Sequence, residues 1–198
     1  MSKSDYKAQV QQLRETTIVA AVNRLLATKG YDLMTVDEVA HEAGMAKASL
    51  YKHFPSKEAL AAAAMIRLLE NTLAFVRGLA DVQPALSQLK SVLQWALEVR
   101  MKGGLPTLPA ENTSLRDALL NNTRYISRLM DLNELMGQLI EKAKSEGSIR
   151  KDLPTEVVLF TIYARSCDPT LDYLRMGDQY TDDQVIHFLL TTCFDGLH

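Results

Sequence analysis

The sequence predicts an all-α fold in two parts, a three-helix N-terminal domain over residues 9–56 and a larger helical domain over 57–198. Apolar residues recur three and four positions apart along almost the whole chain, the period of a helix with one buried face. No stretch alternates apolar and polar residues in the manner of a half-buried strand. Glycine and proline punctuate the pattern, at Gly30, Gly44, Pro55, Gly103, Gly104, Gly147, Pro154 and Gly177 among others.

The first helix is expected over 9–28, with Leu13, Ile18, Val22, Leu25 and Leu26 as its inner stripe and Gly30 ending it. The second is expected over 36–43. Thr35 supplies its N-cap, and Glu38 at the third helical position completes a capping box. Val36, Val39, Ala40 and Ala43 share one face before Gly44 stops the helix. A third, short helix over 46–53 spans about 12 Å at 1.5 Å per residue, and Pro55 closes it. The fourth starts at the capping residue Ser56 and runs to 80. Further helices are expected over 84–101, 114–120, 122–145, 155–175 and 182–196, the last opening on a second capping box from Thr181 to Gln184. Residues 103–112 form the one long loop, either a lid over a pocket or a plain connection. Pro169 falls inside the 155–175 pattern, where it removes a backbone hydrogen bond and kinks the helix. The carbonyls of residues 163–165 then need another donor, and the kink borders a ligand cavity or shapes a subunit interface.

Composition narrows the function classes. The chain has 198 residues, a net charge of −2 and 47% hydrophobic residues, the make-up of a protein with a proper core. No apolar run approaches the roughly 20 residues of a membrane span, and residues 1–7 lack the apolar stretch of a secretory signal. A cytoplasmic protein is expected. Cys167 and Cys193 lie outside any metal-binding spacing and read as small buried residues in a reducing compartment. His41, His53, His187 and His198 are scattered, so no metal site and no cofactor are expected. The GxSxG, HExxH, GxGxxG and P-loop patterns are absent, and Glu98, Glu134 and Glu141 read as helix surface; no enzyme is expected.

The informative stretch is TVDEVAHEAGMAKASLYKHFPSKEAL, residues 35–60. Physically it is a helix, a tight glycine turn and a short amphipathic helix, a helix-turn-helix. The second helix turns Leu50 and Phe54 inward and offers Lys47, Ala48, Ser49, Tyr51, Lys52 and His53 outward. Small residues let a helix come close to base edges, and lysines and hydroxyls suit phosphate oxygens and base acceptors. Between Gly44 and Lys57 the charged residues are Lys47, Lys52 and Lys57, with no carboxylate, a basic island in a mildly acidic chain.

These residues resemble the DNA-binding domain of the TetR family of regulators. The likeness rests on Thr35, on Ala43-Gly44, on Leu50-Tyr51-Lys52-His53-Phe54 and on Ser56-Lys57-Glu58-Ala59-Leu60. A weaker likeness covers Glu146 to Leu153, similar to the linker before the family's last two helices. The resemblance implies that Tyr51, with Thr35, His53 and Lys57, touches phosphates, and that Lys47, Ala48, Ser49 and Lys52 face the major groove. Ala46 departs from the family's usual Ser or Thr and leaves about 1 kcal/mol of capping unmade. Ala48 and Ser49 also differ from common family residues, which bears on the operator sequence.

The resemblance further implies a homodimer whose paired modules, about 34 Å apart, read a palindromic operator. It implies a repressor released when a small molecule binds the C-terminal part. The last two helices would pair the subunits through Val185, Phe188, Leu189, Leu190, Cys193, Phe194 and Leu197, an apolar arc wider than one core stripe needs. Trp95, Met101, Met130, Met136, Tyr163 and Cys167 are the candidate ligand contacts; Met and aromatic residues at helical spacing also describe ordinary core. The competing reading is a helical ligand-binding or adaptor protein whose helix-turn-helix is not used on DNA.

Overall fold

The computed structural model describes residues 3–79, 83–104 and 113–196. Among them the fold is all-α, with ten helices and no strand. They are α1 (Lys3–Leu33), α2 (Val36–Glu42), α3 (Lys47–Leu50), α4 (Lys57–Arg77), α5 (Ala85–Met101), α6 (Thr113–Leu120), α7 (Thr123–Ser145), α8 (Thr155–Cys167), α9 (Thr170–Met176) and α10 (Asp182–Phe194). Of the long loop expected at 103–112, residues 105–112 lie outside the described residues, as do Leu197 and His198.

The chain packs as two units, Met1–Leu69 with Gly103–Arg128, and Glu70–Lys102 with Leu129–His198. The division differs from a single cut after residue 56. Ile18 and Val22 of α1, Val39 of α2 and Leu50 of α3 are fully buried in the first unit, together with Leu60, Ala61 and Ala64 of α4 and Leu115 of α6. Helix α1 with the two short helices α2 and α3 has too little apolar surface to make a core alone, so the start of α4 and α6 complete it.

Within the first unit, helix 1 begins earlier than its periodicity suggests, and its stripe begins later. Leu13 is 68% exposed, and the buried face starts at Ile18, where α2 and α4 come within reach. At Gly30 the helix breaks, with φ at +75°, a left-handed backbone that costs a side-chain-bearing residue free energy. A Cβ there would meet nothing within 4 Å, so the constraint is conformational and not steric. Helix α4 is long and apolar enough to cross a membrane by length and composition, which corrects the expectation that no stretch approaches a span. Its apolar residues Leu60, Ala64, Leu69 and Leu73 are core side chains here.

The second unit buries Leu89, Leu93 and Leu97 of α5, Met136 and Ile140 of α7, Leu159 and Ile162 of α8, and Val185 and Leu189 of α10, with α5 packed on α8 and α10. The expected 155–175 helix is two helices. Asp168 is extended (φ −71°, ψ 151°), as a residue before proline prefers, and Pro169 starts α9. The carbonyls left at the break find donors. Arg100 of α5, its side chain 8% exposed, gives Nη1 to the carbonyls of Ser166 (3.3 Å) and Asp168 (2.6 Å) and Nη2 to the Asp172 carboxylate (2.6 Å). The Ser166 hydroxyl donates to the Tyr163 carbonyl at 2.7 Å. The N-terminus of α5 is closed from a distance, Ala85 N–H donating to the Glu146 carboxylate at 2.9 Å. Both predicted capping boxes are present, Thr35 with Glu38 and Thr181 with Gln184.

Two stability outcomes follow. Ala46 caps α3 in extended geometry with no side-chain hydrogen bond; Ala46→Ser should raise unfolding free energy by about 1 kcal/mol, read as a higher midpoint in urea. Arg100→Ala strands two carbonyls and should cost about 2–4 kcal/mol; a midpoint unchanged from the parent would refute the clasp.

Candidate nucleic-acid interface

The surface is assembled from the end of α2 forward. His41, Glu42 and Ala43 finish that helix, and Gly44 turns left-handed at φ +66°. Gly44 N–H then bonds the His41 carbonyl (3.1 Å) and Met45 N–H the Ala40 carbonyl (3.0 Å). This pair of bonds ends a helix and reverses the chain at a fixed angle. Helix α3 follows as a single α-turn. Winding continues through tighter bonds, Lys52 N–H to Ser49 (3.2 Å) and His53 N–H to Leu50 (2.9 Å), so the helical stretch covers the expected 46–53. Leu50 is fully buried and Phe54 packs half-buried on the same core.

With Leu50 inward, Lys47, Ala48, Tyr51 and Lys52 are exposed together and Ser49 lies half-buried at their edge. Among the described residues the Lys52 side chain makes no ion pair or hydrogen bond. Lys47 does: its Nζ donates to Asp37 Oδ2 at 2.9 Å. Asp37, on α2, belongs to this surface and was not singled out from the sequence. The pair spans a turn and follows no helical spacing rule, so only its position in space reveals it.

The other expected contacts have partners of their own. The Thr35 hydroxyl accepts from Glu38 N–H (3.2 Å) and donates to the Glu38 carboxylate (3.0 Å). His53 is 12% exposed at its side chain, with Nδ1 3.5 Å from Glu15 Oε1 on α1. Lys57 donates to the Asp32 carbonyl at 3.1 Å and lies 4.5 Å from the centre of the Tyr31 ring. Tyr31 in turn donates to Glu58 at 2.9 Å. Burial, then the Glu58 carboxylate, push the Tyr31 hydroxyl up to about 12. Arg24 pairs with Glu42 and Lys29 with Glu38, tying α1 to α2. Exposed pairs of this kind contribute about 0–1 kcal/mol each.

In the second unit the candidate ligand contacts differ in setting. Trp95 stacks on Phe75 with ring centres 5.1 Å apart. Met136 is fully buried, Met101 is half-buried, and Met130 and Cys167 are exposed. Tyr163 donates to Asn133 Oδ1 at 2.9 Å, and burial pushes its hydroxyl up to about 12. A groove of about 240 Å³ between the 148–153 linker, α8 and α10 is lined by Leu86, Ile149, Arg150, Val157, Ile162 and Cys193 among others, and by none of those six candidates. It is smaller than the roughly 300–1,000 Å³ of typical ligand pockets.

The proposed pairing residues divide in two. Val185 and Leu189 are taken by the core of the unit itself. Phe188 is exposed, its ring edge-on to Tyr180 at 5.3 Å, and Cys193 and Phe194 are half-buried on the groove. On the outer side of α8, Val157 and Phe160 are also exposed, Phe160 by 61%. Their spacing of three was readable, but which of two apolar faces points outward was not.

Residues 18–64 match the family described as bacterial regulatory proteins, tetR family. An HTH-type transcriptional regulator of Mycobacterium bovis is 49% identical over 53 residues, which is 27% of this chain and 26% of that protein, so the chain spans only about a quarter of that relative's length. The HTH-type transcriptional repressor KstR2 of Rhodococcus jostii is 26% identical over 193 residues, 93% of this chain and 91% of the other. The solved structure of the transcriptional regulator FadR from Bacillus subtilis, in complex with stearoyl-CoA, matches with a TM-score of 0.67 at 17% identity, covering 92% of this chain and 99% of that one.

The Tyr31 arrangement generates a pH outcome. The native hydroxyl keeps its proton up to about 12 while the unfolded one loses it near 10. Its contribution is therefore complete below pH 10 and is lost as pH rises through about 12. Tyr31→Phe should cost about 1 kcal/mol at neutral pH and flatten the alkaline fall in stability; a fall of undiminished steepness in denaturation curves would count against the assignment.

Proposed function

Starting from a chain that belongs to the tetR family of bacterial regulatory proteins, we propose that it is a ligand-responsive, DNA-binding repressor that grips a palindromic operator as a homodimer. The observation that carries this reading is the outer face of α3. Lys47, Ala48, Tyr51 and Lys52 are exposed together on a helix that has no carboxylate of its own. Helix α3 lies in the major groove, with Lys47, Ala48, Ser49 and Lys52 toward base edges and the Tyr51 hydroxyl on a phosphate. Thr35, His53 and Lys57 flank that surface, and each reaches a phosphate by exchanging or sharing its present partner.

A second copy supplies the other half-site, about 34 Å away. The exposed Phe188, Val157 and Phe160, with Cys193 and Phe194, support pairing through α8 and α10, while Val185 and Leu189 brace α10 from within. The ligand site lies in the second unit, with Trp95, Met101, Met136 and Tyr163 inside and Met130 and Cys167 toward its edge. The stearoyl-CoA bound to the FadR neighbour supports an acyl-bearing effector, and the repressor role of KstR2 supports repression. The effector binds better to a conformer whose recognition helices miss the operator spacing, and its differential affinity sets the size of the shift. The protein is cytoplasmic and has no catalytic role in this reading.

Selection of bound duplexes from a random pool tests it. A palindrome should be enriched. Tyr51→Phe and Lys57→Ala should weaken binding across sequences, and Lys57→Ala should lower the salt slope by about one. Lys47→Ala and Lys52→Ala should also alter sequence preference. Stearoyl-CoA should release the operator where free coenzyme A does not. No enrichment, and no effect of any of the four substitutions, would leave the adaptor reading in its place.

A further inference from the structure

Asp37 is a carboxylate on a surface read as facing a polyanion. It occupies the second helical position of α2 and is 70% exposed, and its Oδ2 accepts from Nζ of Lys47, itself 47% exposed, at 2.9 Å. Helix α2 has a closed N-terminus without it, because Thr35 and Glu38 complete the capping box and Glu38 already places a negative charge in the first turn. Next to phosphates, Asp37 repels whatever lies within a screening length, about 8 Å at physiological ionic strength. A pure binding surface gains nothing from such a group.

A discriminating surface does gain from it. Lysine is a compact charge on a flexible four-carbon stem. Left unrestrained at the start of α3, Lys47 would swing to the nearest phosphate, a contact that carries no sequence information. A charge-assisted hydrogen bond to the Asp37 carboxylate limits that freedom. It also leaves two of the three ammonium protons directed outward, for acceptors such as N7 and O6 of guanine. Lys52, five residues further on, has no carboxylate partner among the described residues and is the internal comparison.

We propose that Asp37 is a positioning residue that sets sequence specificity, holding Lys47 away from indiscriminate phosphate contact so that it reads base edges. This rests on the DNA-reading function proposed above. Attraction to any duplex is thereby reduced, and the difference between the right duplex and the wrong one is enlarged.

Binding to the selected operator and to a random-sequence duplex, each over a salt series, tests the role with Asp37→Asn, Asp37→Glu, Lys47→Ala and the Asp37→Asn/Lys47→Ala double variant. Asp37→Asn should bind the random duplex roughly tenfold tighter, with a salt slope steeper by about one unit, so the operator-to-random ratio drops. Asp37→Glu should restore the parent ratio. In the Lys47→Ala background, Asp37→Asn should leave the slope where it was. An unchanged ratio and slope in Asp37→Asn overturns the proposal. So does an equal gain without Lys47, which would make Asp37 a plain repulsive charge. If Lys52→Ala also leaves both duplexes unaffected and no operator is enriched, the DNA-reading function falls together with this role.

Discussion

A helix of one α-turn has no stability of its own, since isolated helices need about 12–15 residues to be even marginal in water. The position of α3 is therefore set by what holds it from outside, chiefly the burial of Leu50 in the core formed by α1, α2, α4 and α6. Everything on the opposite face inherits its direction from that side chain. Lys47, Ala48, Tyr51 and Lys52 share an exposed surface because Leu50 has nowhere else to go. The left-handed Gly44 and the two backbone bonds across it fix the angle at which α3 leaves α2. Phe54, packed on the same core, closes the other end.

The same logic runs through the second unit, where helix ends are completed by side chains far away in sequence. Arg100 reaches from α5 to the carbonyls at the α8–α9 break, and Glu146 accepts the first N–H of α5. Pro169 itself is exposed and Ser166 and Asp168 beside it are half-buried, and backbone groups withdrawn from water are nearly always paired, so the carbonyls at this break call for a donor. Arg100 is that donor, and its near-complete burial shows that the guanidinium is part of the structure and not a surface charge. The break, with Arg100 on one side and Asp172 on the other, joins α5, α8 and α9 within a single polar network.

Charge in the first unit is arranged in two tiers. Arg24, Lys29 and Lys57 are engaged with neighbouring helices or turns. Lys47 and Lys52 stand on the outer face, one tethered to Asp37 and the other not. A net charge of −2 over the chain conceals this division. The electrostatic character of a surface comes from which cations remain available there, and a sum over the sequence cannot register it.

Much of this was legible from residues alone. The all-α fold, both capping boxes, the stop at Gly44, the inward Leu50 and Phe54, and the uncapped Ala46 all follow from interactions within four or five positions, where spacing and residue type suffice. What lay beyond that range was decided by packing. Leu13 fits the stripe of α1 but projects past the core. Val185 and Leu189 are as apolar as Phe188 yet face inward, because an apolar arc wider than one stripe does not say which part its own chain will cover. His53, Lys57 and Lys47 have partners 38, 25 and 10 residues distant. Local chemistry determined which helices form and where they end. Only the tertiary structure, by bringing remote carboxylates and carbonyls within hydrogen-bonding reach, decided which of the exposed cations are engaged and which face solvent.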